Sequence, residues 1–170
     1  GMYMYYCDVP FITKNKLYIP MATNYSYGIY MNNCNSTANA NSILIANNEL
    51  RMKSLNNSYG IYVASSRTNI YHNSVLSISA STATNIGIYV SSALDLDAKN
   101  NNLICNVPVY FGNMNSLGTT WFFDHNNYYS PLGYIGYAGG FISNMNSWRL
   151  TTGQDLQSVS IYPNFIDTNI

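Results

Sequence analysis

Five asparagines, Asn15, Asn48, Asn73, Asn101 and Asn126, divide this chain into similar pieces, at spacings of 33, 25, 28 and 25 residues. Each has an apolar residue three places earlier (Ile12, Ile45, Ile70, Ala98, Phe123) and another two places later (Leu17, Leu50, Val75, Leu103, Tyr128). Between the anchors falls a glycine phrase, "GIYM" from Gly28 and "GIYV" from Gly60 and Gly87, with "PVYF" from Pro108 in the fourth place. A unit of ~25 residues cannot bury its own apolar face, so a repeat of this period implies stacked units sharing one core. The apolar segments are short, rich in β-branched and aromatic residues, and alternate with period two, which points to strands rather than helices. That alternation sends Ile29 with Met31, Ile61 with Val63, Ile88 with Val90 and Val109 with Phe111 inward. Tyr30, Tyr62, Tyr89 and Tyr110 are left outside.

Each unit therefore reads strand, asparagine turn, strand, variable loop, strand. Length changes fall before the glycine and after the "NN" or "SS" pair, as in "NNCNSTANANS" at 32–42. Insertions there leave the stacking intact. The expected fold is all-β: a right-handed parallel β-helix (a solenoid) of about five turns over residues 1–130. Residues 131–170 are expected to form a C-terminal cap segment of the same domain. Each anchor Asn is expected to take the left-handed conformation at a sharp bend and to bond its amide along the axis to the next copy. The leading glycine is expected to allow a tight entry into its strand. In the cap, "SNMNSWRLTTG" offers Ser143 or Asn144 as N-cap and Gly153 as the stop of a short helix. Trp148, Leu150 and Phe165 are the expected plugs of the core.

Composition narrows the partners. Charged residues make up 8% of the chain against roughly 25% in ordinary domains, and the formal net charge is zero. With no basic stripe, nucleic-acid binding lacks its electrostatic footprint. No apolar run approaches the ~20 residues of a membrane-spanning helix, so membrane insertion is not expected. Asparagine occurs 26 times while lysine is scarce, so the amide itself looks selected. Cys7, Cys34 and Cys105 show no metal-binding spacing. They read as small buried apolar residues, with one disulfide plus a spare thiol as the alternative.

"NIYHNSV", "GIYVSSALDLDAKNNNL" and "DHNNYYS" resemble the right-handed parallel β-helix repeat proteins of secreted or surface-attached bacterial type. The tail "SWRLTTGQDLQSVSIYPNF" is similar to the segment that often follows the last turn in that family. The resemblance runs from about residue 11 to residue 166. It implies an extracellular or cell-surface protein, and a repeat that starts in mid-pattern suggests the C-terminal part of a longer one. The family contains polysaccharide lyases and hydrolases beside many members without a known reaction. Two functions are therefore carried forward. The first is a non-catalytic scaffold or glycan-contacting module, and the alternative is part of a lyase or glycoside hydrolase with its catalytic residues on turns before residue 1.

No catalytic centre and no cofactor are expected within these residues. Tyr30, Tyr62, Tyr89 and Tyr110 share one repeat position and are the candidate glycan contacts. Rings ~4.8 Å apart stack on one another, however, and present edges and hydroxyls rather than faces. Asp95, Asp97 and Lys99 alternate in "LDLDAK" and are expected to point outward, with Leu94, Leu96 and Ala98 inward. The two aspartates are the only candidate metal ligands, set against calcium's need for six to eight oxygens. A solvated strand face with a weak ion pair is the plainer reading. His72 and His125 each precede an anchor Asn, where Asn47 and Asn100 also stand, which suits a tolerated turn residue better than a catalytic base. The opening "MYMYYCDVPFI" is apolar with one charge. It is expected either to self-associate by edge pairing or to fold back over the core.

Overall fold

The structure is a computed structural model and describes residues 1–8, 11–35, 41–77, 84–115, 117 and 119–163. Phe165 and the middle of the 32–42 insertion lie outside these residues. Among the described residues, seventeen strands and one helix follow in order. The first passage holds β1 (Met2–Tyr5), β2 (Phe11–Thr13) and β3 (Lys16–Ala22), and the second β4 (Ser26–Asn32), β5 (Ile43–Ala46) and β6 (Glu49–Ser54). The third holds β7 (Ser58–Ala64), β8 (Arg67–Tyr71) and β9 (Ser74–Ser77), and the fourth β10 (Asn85–Ser92), β11 (Asp95–Lys99) and β12 (Asn102–Cys105). The fifth holds β13 (Val107–Phe111), β14 (Trp121–Asp124) and β15 (Asn127–Tyr129). Then come β16 (Gly136–Ala138), β17 (Phe141–Ile142) and α1 (Met145–Thr152).

The protein is mostly β, built on three sheets that the chain visits in fixed rotation. Sheet A runs β1-β4-β7-β10-β13-β16-β17, sheet B runs β2-β5-β8-β11-β14, and sheet C runs β3-β6-β9-β12-β15. Among the described residues all pairings are parallel except β16 with β17, which closes one end of sheet A as a hairpin. The registers align the repeat. Ile12, Ile45, Ile70, Ala98 and Phe123 are successive partners in sheet B, and Leu17, Leu50, Val75, Leu103 and Tyr128 in sheet C. These columns, with the inward residues of the glycine phrases, form one continuous core. β1 pairs with β4 in register, so Tyr3 to Tyr6 do not fold back over the core. Tyr3 to Tyr5 continue the sheet, and Tyr6 turns the corner after it.

The anchor asparagines do bond along the stack, but they are not the left-handed residues. Positive φ falls one place earlier, at Lys14, Asn47, His72, Asn100 and His125. The bend there turns the following Asn inward. Asn48, Asn73, Asn101 and Asn126 are buried, and each Oδ1 accepts from the preceding anchor's amide at 2.9–3.0 Å. Each Oδ1 also takes that anchor's backbone N–H, at 2.9–3.0 Å. A buried corner whose backbone has left the ladder needs those partners.

The glycines also do a different job from the one expected. None of Gly28, Gly60 and Gly87 has positive φ. A Cβ on Gly60 would lie 2.6 Å from the Gly87 carbonyl oxygen and 2.6 Å from Val75 Cγ1. Glycine is required here for close approach. The strand phase slips at the same point, because Gly28 and Ile29 are both buried while Tyr27 and Tyr30 both stay at the surface.

The C-terminal segment ends the stack. Asn144 caps α1, its Oδ1 accepting from Ser147 N at 2.8 Å, and Gly153 ends it at φ 66°. Trp148 is the plug, fully buried and stacked on Phe111 at 5.6 Å. Leu150, an expected plug, is 89% exposed. It sits on the outer side of a two-turn helix whose single inward stripe is taken by Trp148 and Thr152. Residues 154–161 lie along the last strands. Asp155 N donates to Phe123 O at 2.9 Å and Val159 N to Asn126 O at 2.8 Å. Ser158 Oγ accepts from Asn126 N at 2.8 Å, in place of the next asparagine.

Candidate functional site

The outward tyrosines of sheet A form a longer column than the four residues expected. Tyr3, Tyr30, Tyr62, Tyr89, Tyr110 and Tyr137 stack with centroids 4.3–5.0 Å apart and planes within 18°. Parallel in-register pairing imposes that spacing. Interior rings have both faces covered, so the surface they offer is a row of hydroxyls and ring edges. Tyr3, at 67% exposure, keeps an open outer face.

A second column lies beside the first and was missed from sequence. Tyr27 stacks on Tyr59 at 5.0 Å, and both meet the first column edge-on. The signal was present as "SYGIY", written identically at 26–30 and 58–62. It was unreadable without the phase slip at glycine, since strict alternation puts Tyr27 and Tyr30 on opposite faces. The column ends at Ile86, which occupies the tyrosine position and is buried. Burial and the neighbouring phenols push the hydroxyls of Tyr27, Tyr89 and Tyr110 up, and that of Tyr59 up to about 12. These groups stay neutral at pH 7, able to donate and accept.

Asp95, Asp97 and Lys99 point outward from β11, but Leu94 does not point in. It precedes the strand and is exposed. Lys99 Nζ lies 2.9 Å from Asp97 Oδ2, which also accepts from the Tyr71 hydroxyl at 2.8 Å. Asp95 stands in register with Arg67 rather than with a further carboxylate. Two carboxylates with Arg67 and Lys99 beside them are not a calcium ligand set. Among the described residues no three His, Cys, Asp or Glu side chains converge as a metal site. His72 and His125 are both exposed left-handed corner residues, and His125 Nδ1 lies 3.3 Å from Asp124 Oδ2.

A groove of about 450 Å³ follows the corner between sheets B and C, assembled from three passages of the chain. Lys14, Lys16, Glu49, Arg51, His72 and Ser74 line it. Glu49 bonds Arg51 Nε at 2.7 Å and lies 3.4 Å from Lys16 Nζ. Burial alone would push its carboxyl up, but those two cations outweigh it and hold it below the usual range. Three cations against one carboxylate leave the groove positive in a chain of zero net charge. The sequence does not reveal it because Arg51 lies 35 residues beyond Lys16 and meets the two lysines only through the register. A shallower depression of about 410 Å³ at Asn100, His125 and Asn127 continues the same corner.

The chain matches no known family model, no curated protein and no solved structure. No described helix is long and apolar enough to cross a membrane.

Proposed function

We propose that this chain is a stretch of right-handed parallel β-helix that serves, outside the cell or at its surface, as a non-catalytic scaffold contacting polysaccharide through its tyrosine face. The fold reading is supported by the fixed A, B, C rotation of parallel strands, and crossovers between parallel strands are right-handed in about 98% of cases. The observation that carries the function is the six-membered tyrosine column. It sets ring edges and hydroxyls along a rigid face whose stacked rings repeat every 4.3–5.0 Å. A row of donor–acceptor groups on a preorganised surface suits an extended polyhydroxylated chain, because little ordering cost remains on binding.

The test separates hydroxyls from rings. Tyr62→Phe with Tyr89→Phe removes two hydroxyls and keeps the stack. Affinity for a retained glycan should fall about tenfold with the thermal midpoint nearly unchanged. Unchanged affinity, or no retention of any neutral or acidic polysaccharide, would defeat the reading. Turnover of a uronate polymer, seen as absorbance of unsaturated product, would replace it with the lyase alternative.

The basic groove favours a second contact, for an acidic glycan. Its signature is binding that weakens with salt over the range where the screening length falls below ~10 Å. Lys14→Gln with Arg51→Gln should abolish that salt dependence and leave neutral glycans unaffected.

A further inference from the structure

Cys7 lies two residues beyond Tyr5, and Cys34 two beyond Asn32, and Tyr5 and Asn32 are in-register partners of β1 and β4. Adjacent parallel positions sit ~4.8 Å apart, inside the Cα separation a disulfide accepts. The corner holds the two residues together beyond the strands. Tyr6 and Asn33 both take positive φ, and Asn35 N donates to Cys7 O at 3.2 Å. Cys34 is buried and fixed from the far side, its N–H donating to Ser66 Oγ at 3.0 Å. The two Sγ atoms are 3.1 Å apart. Cys105, fully buried in the core between sheets, is remote from both in sequence and in passage.

We propose that Cys7 and Cys34 are a disulfide-forming site that bolts the first passage of the chain to the second. The oxidant is a small-molecule or protein disulfide. The Cys7 thiolate attacks it, one thiolate leaves, and a mixed disulfide remains on Cys7. Cys34 Sγ then displaces the second thiolate as the Cys7–Cys34 bond forms. The reagent disulfide accepts two electrons and, with the two protons lost from the cysteines, becomes two thiols. Burial, Cys34 and the charge of Asp8 push the Cys7 thiol up to about 11. Thiolate is therefore scarce at neutral pH, which slows the exchange about tenfold for each unit below that value but leaves the equilibrium to geometry. The bond closes a loop of 27 residues' separation. It should raise the thermal midpoint by about 10 °C over the reduced protein.

The full chain, treated with oxidised glutathione at about pH 9, is unfolded in an alkylating reagent without reductant. One cysteine, Cys105, should be alkylated, and a non-reducing peptide map should join the segments holding residues 7 and 34. The Cys34→Ser variant should show no intrachain bridge and a midpoint insensitive to reductant. Cys7→Ser gives the same readout if Cys34→Ser folds poorly. Three alkylated cysteines, a persistent glutathione adduct on Cys7, or a bridge between two chains would each overturn the assignment.

Discussion

Asn73 commits its amide in both directions along the corner. Its Nδ2 donates to Ile45 O at 2.9 Å and to Asn101 Oδ1 at 3.0 Å, while its Oδ1 accepts from both nitrogens of Asn48. Asn73→Ala leaves at least two buried backbone groups unpaired and should cost about 4 kcal/mol in urea unfolding. Asn15, at the open and half-buried end of the column, should cost about 1 kcal/mol on the same change. The neighbouring left-handed residue obeys a different rule, because its side chain faces water and only its φ matters. His72→Asn should change stability by less than about 0.5 kcal/mol, as Asn47 and Asn100 stand at the equivalent position. His72→Val should cost about 1 to 2 kcal/mol, since a β-branched residue resists φ near 56°. Equal stability of these two variants would show that the corner is not held by backbone conformation.

At the scale of the strand, the glycine phrase combines two demands that pull on the same residues. Sheet A must bring Gly60 against the Gly87 carbonyl, and must keep Tyr59 and Tyr62 on one face. The slip at Gly60 satisfies both. Gly60→Ala places its methyl 2.6 Å from a backbone oxygen that the ladder holds in place, and should cost about 3 kcal/mol. Near-ultraviolet circular dichroism should report disturbed tyrosine stacking in the folded fraction. A variant as stable as the parent, with an unaltered tyrosine signal, would mean that the phase slip lies elsewhere.

Across the whole molecule, the end that carries Trp148 is held by one buried carboxylate. Asp155 accepts from Trp148 Nε1, Tyr128 Oη and Ser158 Oγ. Burial pushes its carboxyl up, and the hydrogen bonds from Ser158, Trp148, Tyr128 and Asn126 pull it only part of the way back. With the folded value above the unfolded one, the folded protein holds this proton more tightly. Its contribution is therefore complete below the ordinary carboxylate value of ~3.9 and is lost as pH rises through the folded value. The Asp155→Asn variant should lack that fall when the urea midpoint is followed upward from about pH 4. Glu49 acts in the opposite sense, its contribution present above the ordinary value and lost as pH falls, but it is partly exposed and weak. At the other end, β1 pairs only with β4 among the described residues, and Met2 and Met4 are partly buried against the core. An apolar strand edge of this kind invites pairing. Light scattering should show the mass of this 170-residue chain rising with concentration. A constant monomer mass would refute edge pairing.

Columns of like residues were legible in the sequence because a parallel register repeats every contact, so a period in the chain becomes a stack in space. Asn48 above Asn73 and Tyr62 above Tyr89 follow from spacing alone, as does the inward face of "GIYV". The cap helix was legible too, from Asn144 and Gly153. Tertiary packing decided what the period leaves open. The left-handed bend falls on His72 rather than Asn73, because the buried corner needs the amide and water tolerates the imidazole. Gly60 was placed by contact with the next passage rather than by its own φ, and that contact brought Tyr27 and Tyr59 to the surface. The groove of Lys14, Lys16, Arg51 and His72 joins residues up to 58 positions apart, and the thiol pair Cys7–Cys34 joins residues 27 apart. Such neighbours share no local pattern and meet only once the register is set.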